Sequence, residues 1–168
     1  MTIKLVTVGV YGFSEEAFFQ ALQDAKIDAF CDIRWWRAVR GAQYAFANSQ
    51  RLQNRLAELG IHYLHRRDLA PSPAVRRLQT DVDSKNKVAK RKRSTLSESF
   101  VQAYDEEVLS NFESSSFLED LPPNANVVAL FCVEAEPAAC HRSLLAQKLQ
   151  HDLEVEVEHL VPQRNRLS

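Results

Sequence analysis

Asn126-Val127-Val128-Ala129-Leu130-Phe131-Cys132-Val133 decides the fold. Seven of its eight residues are apolar and do not alternate with polar ones, so both faces of the segment must be buried. A run of this length and composition reads as a strand at the centre of a parallel sheet. Pro137 breaks the run, a helix is expected from about His141 to His151, and Val155 to Leu160 reads as the last strand.

The same logic extends upstream. Ile3 to Val8 is β-branched and apolar and ends at Gly9, with Gly12 following, which reads as a buried strand and a turn. Ser14 has the chemistry of a helix N-cap, with Glu15 and Glu16 in the first turn, and Ala17, Phe18, Ala21, Leu22 and Ala25 keep helical spacing. Ile27 to Arg34 is a second strand. Residues 35–48 lack a period and read as a long loop carrying Trp35 and Trp36. Leu52, Leu56 and Leu59 mark a helix closed by Gly60, and Ile61 to His65 is a third strand. Pro71 and Pro73 break the chain; residues 74–93 are polar and partly helical, and Leu96 to Leu109 is a helix. Strands alternating with helices predict one α/β domain over 1–168: an open, mostly parallel sheet of about five strands with helices on both faces. The basic segment 83–95 is expected to be a disordered excursion.

Composition narrows the class. Three cysteines at irregular positions do not form a secreted disulfide framework, and the apolar start is too short for a signal segment or a membrane span. A cytoplasmic protein with no membrane partner is expected. Charge is uneven along the chain: residues 1–93 hold 17 basic and 9 acidic side chains, residues 94–168 hold 4 and 13. Such a chain can present a basic face to an anionic partner despite a net charge of -1.

In a parallel sheet, ligands bind beyond the carboxyl ends of the strands. Gly9, Val10 and Tyr11 follow the first strand; Asp32, Arg34, Trp35 and Trp36 the second; His65, Arg66, Arg67 and Asp68 the third. Cys132, Glu134, Cys140, His141 and Arg142 follow the fourth. Nearly every reactive side chain falls on one rim.

The segments Asp32-Ile33-Arg34, Gly60-Ile61-His62-Tyr63, Cys132-Val133-Glu134 and Cys140-His141-Arg142, with the closing Val157-Glu158-His159-Leu160, resemble the signature of the family called domain of unknown function 488. The resemblance implies a Rossmann-like fold and a site at the Cys-x-Glu and Cys-His-Arg residues; it implies no substrate. The chain departs from the family pattern at Val8-Gly9-Val10-Tyr11-Gly12, at Trp35-Trp36-Arg37-Ala38-Val39-Arg40, and in the basic stretch from Lys85 to Arg93.

Cys140 stands just before a helix and is followed by two potential cations. That setting lowers a thiol pKa and favours a thiolate nucleophile, with His141 or Glu134 handling protons. The plainer alternative is a buried structural cysteine. A phosphatase loop is excluded, because the position six residues after Cys140 is Ala146 rather than Arg. Cys132, Cys140 and His141, completed by Glu134 or His65, offer zinc ligands, but no compact Cys-x-x-Cys pair accompanies them, and no metal is expected. Gly9-x-x-Gly12 is not the dinucleotide fingerprint, so no cofactor is expected.

Asp32 and Arg34 share one side of a strand. Arg34, Arg142, Asp32 and Tyr11 are candidates for substrate and phosphate binding; an internal Asp32–Arg34 salt bridge is the alternative. Arg37, Arg40, Lys85, Lys87, Lys90, Arg91, Lys92 and Arg93 are candidates for nucleic-acid contact. The leading expectation is an enzyme acting on a nucleotide or nucleic acid through Cys140, His141 and Glu134. The alternatives are a non-catalytic nucleic-acid-binding module using residues 85–93 and, behind it, a zinc-stabilised protein–protein adaptor.

Overall fold

The computed structural model describes residues 2–89 and 92–163. The decisive run forms β4 (Val127–Phe131), the middle strand of five. β2 (Ala29–Asp32) pairs with it on one side and β1 (Lys4–Val8) on the other; β3 (His62–His65) and β5 (Glu156–Leu160) form the edges. All pairings are parallel, in the order β3-β2-β4-β1-β5. Leu130 in β4 lies beside Thr7 and Cys31, which fixes the register of the central strands.

The strand order dictates where the helices go. The steps from β1 to β2 and from β2 to β3 run toward the β3 edge; the steps from β3 to β4 and from β4 to β5 run toward the β5 edge. Right-handed crossovers therefore send the two sets of helices to opposite faces. α1 (Glu15–Asp24) and α2 (Ser49–Glu58) belong to the first set. α3 (Pro73–Lys85), α4 (Glu98–Glu107), α5 (Ser114–Glu119) and α6 (His141–Leu153) belong to the second. On the first face the Phe18 ring meets Phe30, Phe46 and Phe131. On the second, Tyr104 of α4 lies edge-on to His141 of α6, with ring centres 5.5 Å apart.

Local signals hold in detail. The Ser14 hydroxyl accepts from the Ala17 amide at 3.1 Å and starts α1. Gly60, at φ 72°, supplies the left-handed residue that ends α2. α5 is an addition: Ser114-Ser115-Ser116 carries no periodic signal, yet Phe117 is fully buried and holds the short helix down. In the segment 83–95, α3 continues through Asp83 to Lys85, and Arg93 is anchored by side-chain contacts; Lys90 and Arg91 lie outside the described residues. Among the described residues no helix is long and apolar enough to cross a membrane.

β1 and β4 are neighbours, but the chain leaves them toward opposite edges. Their carboxyl ends are the switch point of the sheet, where a crevice opens between diverging connections.

Candidate functional site

The β4 side of that crevice holds the chemistry. Cys132 follows the last residue of β4, Cys140 sits at the N-cap of α6, and His141 is the first residue of the helix. All three are buried. His141 Nδ1 lies 3.7 Å from Cys132 Sγ and 3.7 Å from Cys140 Sγ; Cys132 Sγ lies 3.7 Å from Glu134 Oε2. On the far side of the ring, His141 Nε2 is 2.9 Å from the Ile33 carbonyl oxygen. A carbonyl only accepts, so Nε2 carries the proton, and in the neutral ring the Nδ1 lone pair faces both thiols. Burial pushes the Cys140 thiol up, but the hydrogen bonds with Cys132 and His141 and the nearby Arg142 guanidinium outweigh it and hold the thiol well below its ordinary value.

The loop carrying Cys132 and Glu134 is clamped from beneath. Arg142 is completely buried; Nη1 donates to the Glu134 carbonyl at 2.6 Å and Nη2 to the Ala135 carbonyl at 3.3 Å. From β1, the amides of Val10 and Tyr11 both donate to the Val133 carbonyl at 3.0 Å. Gly9 makes this approach feasible: a Cβ there would collide with the Glu134 carbonyl oxygen and lie 2.8 Å from its carbon.

The β2 side is built from another arginine. Arg34 donates from Nε and Nη2 to the two carboxylate oxygens of Asp32 at 2.9 and 2.8 Å, and from Nη1 to the Ala47 carbonyl at 2.9 Å. Its guanidinium also lies 4.7 Å over the Phe131 ring. Tyr63 donates to Asp32 at 2.7 Å, and His65 Nε2 meets the Arg34 carbonyl at 2.8 Å. Asp32 is thus fully engaged inside the fold, and the arginine ties the loop after β2 to residue 47.

Between the two sides opens a cavity of about 620 Å³, with Cys132, Glu134, Cys140 and His141 in its lining. That size suits a small-molecule ligand. Trp35, Trp36 and Arg76 also line it: Arg76 stacks at 4.8 Å over Trp36, which is 56% exposed, and Trp35 is backed by Arg67, stacked 4.2 Å over its ring. Tyr11 lines the cavity and packs on Tyr44.

The structure joins most of the rim residues but redistributes the basic run. Arg93 turns inward, pairs with Asp83 at 2.7 Å, and reaches the Glu134 carboxylate at 3.5 Å and the Ala139 carbonyl at 3.3 Å. Lys85, Lys87 and Lys92 remain exposed. Arg40 lines the cavity, whereas Arg37 Nη1 points to Tyr63 Oη at 3.5 Å. Sequence reading overlooked Gln79 and Asp83, which brace Arg93 through a 2.8 Å bond between themselves. The signal was available: Val75, Gln79 and Asp83 recur every fourth residue on α3, which puts two polar groups on its buried stripe.

A family model described as domain of unknown function DUF488 matches residues 14–149. Comparison with curated proteins and with solved structures found no match.

Proposed function

The chain belongs to the DUF488 family, and from its own geometry we propose that it is an enzyme acting on a nucleotide or nucleic-acid ligand. The carrying observation is that one cavity is lined both by a buried Cys132–Cys140–His141 cluster and by the stacked Trp36–Arg76 pair. Bases stack on exposed indole faces, and guanidinium groups hold phosphate. Trp36 with Arg76 supplies both chemistries at one place in the lining, and Arg40 lines the same cavity. Cys140, with His141 and Glu134 in contact or one residue removed from contact, is the centre of the reaction. Arg142 and the Asp32–Arg34 pair hold the loops that carry these groups. Three free, buried cysteines suit a reducing, cytoplasmic setting.

The test is calorimetric titration with nucleoside mono-, di- and triphosphates and with short single-stranded RNA and DNA, at low and raised salt. Ligands that bind are then assayed for turnover with wild type and Cys140→Ser. Binding that falls at least tenfold in Trp36→Ala, with turnover lost in Cys140→Ser, supports the reading. Turnover retained in Cys140→Ser refutes the catalytic centre. Binding abolished by neutralising Lys85, Lys87 and Lys92, but indifferent to Trp36, would make the protein a non-catalytic nucleic-acid module instead.

A further inference from the structure

We infer that Cys132, Cys140 and His141 form a binding site for one divalent metal ion of the zinc class, with its fourth position toward the cavity and Glu134 beside it. This deepens the proposed function by naming what the thiols do, and it rests on that reading only for the role of the cavity.

The argument begins with the donor atoms. A tetrahedral ion with metal–sulfur bonds of about 2.3 Å and a metal–nitrogen bond of about 2.0–2.1 Å sets sulfur and nitrogen ligands about 3.6 Å apart and two sulfurs about 3.8 Å apart. The two sulfur–Nδ1 separations are each 3.7 Å, and the three donor atoms all lie within 4.8 Å of one another. The cluster therefore has the edge lengths of a coordination sphere, and closing the sulfurs around an ion requires a shift of about 1 Å at most.

The surroundings of the histidine point the same way. A metal-bound imidazole donates its other N–H to a carbonyl or carboxylate, which fixes both ring orientation and tautomer. His141 does this through Nε2 to the Ile33 carbonyl, leaving Nδ1 as the ligand atom. The position of the ring does not depend on an ion, because Tyr104 packs edge-on against it.

Charge completes the case. Two thiolates, a neutral imidazole and a divalent cation sum to zero, which a buried site tolerates far better than a lone thiolate. All three ligands line the cavity, so the fourth position is open to water or to a ligand atom. Sites with three protein ligands and one open position are the catalytic kind. Glu134 Oε2, 3.7 Å from Cys132 Sγ, stands where a carboxylate either fills that position or takes a proton from a group bound there.

The experiment uses the full chain, stripped with a chelator and then titrated with cobalt(II) and with zinc. Cobalt absorption reports thiolate ligation and tetrahedral geometry, native mass spectrometry reports stoichiometry, and alkylation mapped by peptide mass reports which thiols are covered. The expected result is one ion per chain, a thiolate-to-cobalt charge-transfer band, and at least tenfold slower alkylation of Cys132 and Cys140 with zinc. His141→Ala and Cys132→Ser should weaken binding at least tenfold, whereas Cys31→Ala, on β2 and outside the cluster, should bind as wild type does. Circular dichroism separates loss of a ligand from loss of fold, and the protection assay on the wild-type chain stands even if a variant fails to fold. No cobalt band together with unprotected thiols overturns the inference and leaves Cys140 as a free nucleophile. Nucleotide titration of the same metal-free and zinc-loaded samples reads the ligand proposal separately: absence of nucleotide binding with an intact cobalt spectrum removes that proposal and keeps this one.

Discussion

Gly9→Ala is the sharpest single test of how the site is held. Gly9 has an ordinary backbone conformation, since its φ lies outside the left-handed range, so the substitution acts by volume alone. The added methyl would overlap the Glu134 carbonyl oxygen, lie 2.8 Å from the carbonyl carbon, and lie 3.0 Å from Arg142 Nη1. Two of these neighbours are backbone atoms, and the third belongs to a fully buried side chain, so none can swing aside at small cost. Overpacking of this kind costs about 1–3 kcal/mol. If the loop yields, the 2.6 Å bond from Arg142 is lost as well, and a charge-assisted hydrogen bond is worth about 1.5–3 kcal/mol. The expected loss is therefore about 2.5–6 kcal/mol in urea unfolding, at unchanged m-value. Cys132 and Glu134 ride on the displaced loop, so alkylation of Cys132 should speed up in the folded state. Gly60→Ala is the internal comparison: nothing lies within 4 Å of its Cβ position, but its φ of 72° costs about 1 kcal/mol. A Gly9→Ala protein within about 0.5 kcal/mol of wild type, with Cys132 no more accessible, would refute the claim that β1 and the Glu134 loop are locked together at this point.

Other expectations follow from the same contacts. Arg34→Met should cost about 3–5 kcal/mol in denaturant unfolding, because it leaves Asp32 charged and buried; a stable variant with impaired ligand binding would show that Arg34 serves the ligand. Arg93→Ala should loosen the strap on Glu134 and Asp83, read as faster backbone hydrogen exchange around residues 79–83 with β4 unchanged. Asp152 is held below its ordinary carboxylate value by hydrogen bonds from Ser114, His151 and Lys148. A depressed folded-state pKa contributes stability above the unfolded value of about 3.9 and loses it as pH falls below that. The difference in melting temperature between wild type and Asp152→Asn should accordingly be largest near neutral pH and vanish in strong acid; a constant difference would refute the linkage.

The sheet was legible because β4 is apolar on both faces, which only a central parallel strand explains. Its neighbours were read for the same reason, and Ser14 and Gly60 marked helix ends through chemistry that acts within a few residues. The rim could be assembled from strand ends alone. What sequence could not convey is the direction in which long side chains point. Arg93 belongs to a run of basic residues that reads as a solvated surface, yet its partner Asp83 is ten positions away, near the end of α3, and that ion pair holds it inward. Likewise, Trp36 and Arg76 are forty positions apart and meet only because the loop after β2 and the start of α3 face the same cavity. Such pairings are tertiary and leave no periodic trace.

The two signature arginines are held by the fold itself. Arg142 and Arg34 are part of the signature segments that first drew attention, and both are buried with their guanidinium groups bonded to the fold: one to the loop of Cys132 and Glu134, the other to Asp32 and residue 47. An arginine so engaged would have to break internal bonds to take a phosphate, and the broken bonds would leave buried acceptors unpaired. Arg76 and Arg40 line the cavity, as Arg34 does, but they come from segments outside the signature. On the proposed function, the signature arginines hold the Cys132–Cys140–His141 cluster in place, and the residues around it choose the ligand. Exchanging Arg76 and Trp36 should therefore alter which ligand binds without disturbing metal uptake or fold, whereas substitutions at Arg142 should disturb all three together.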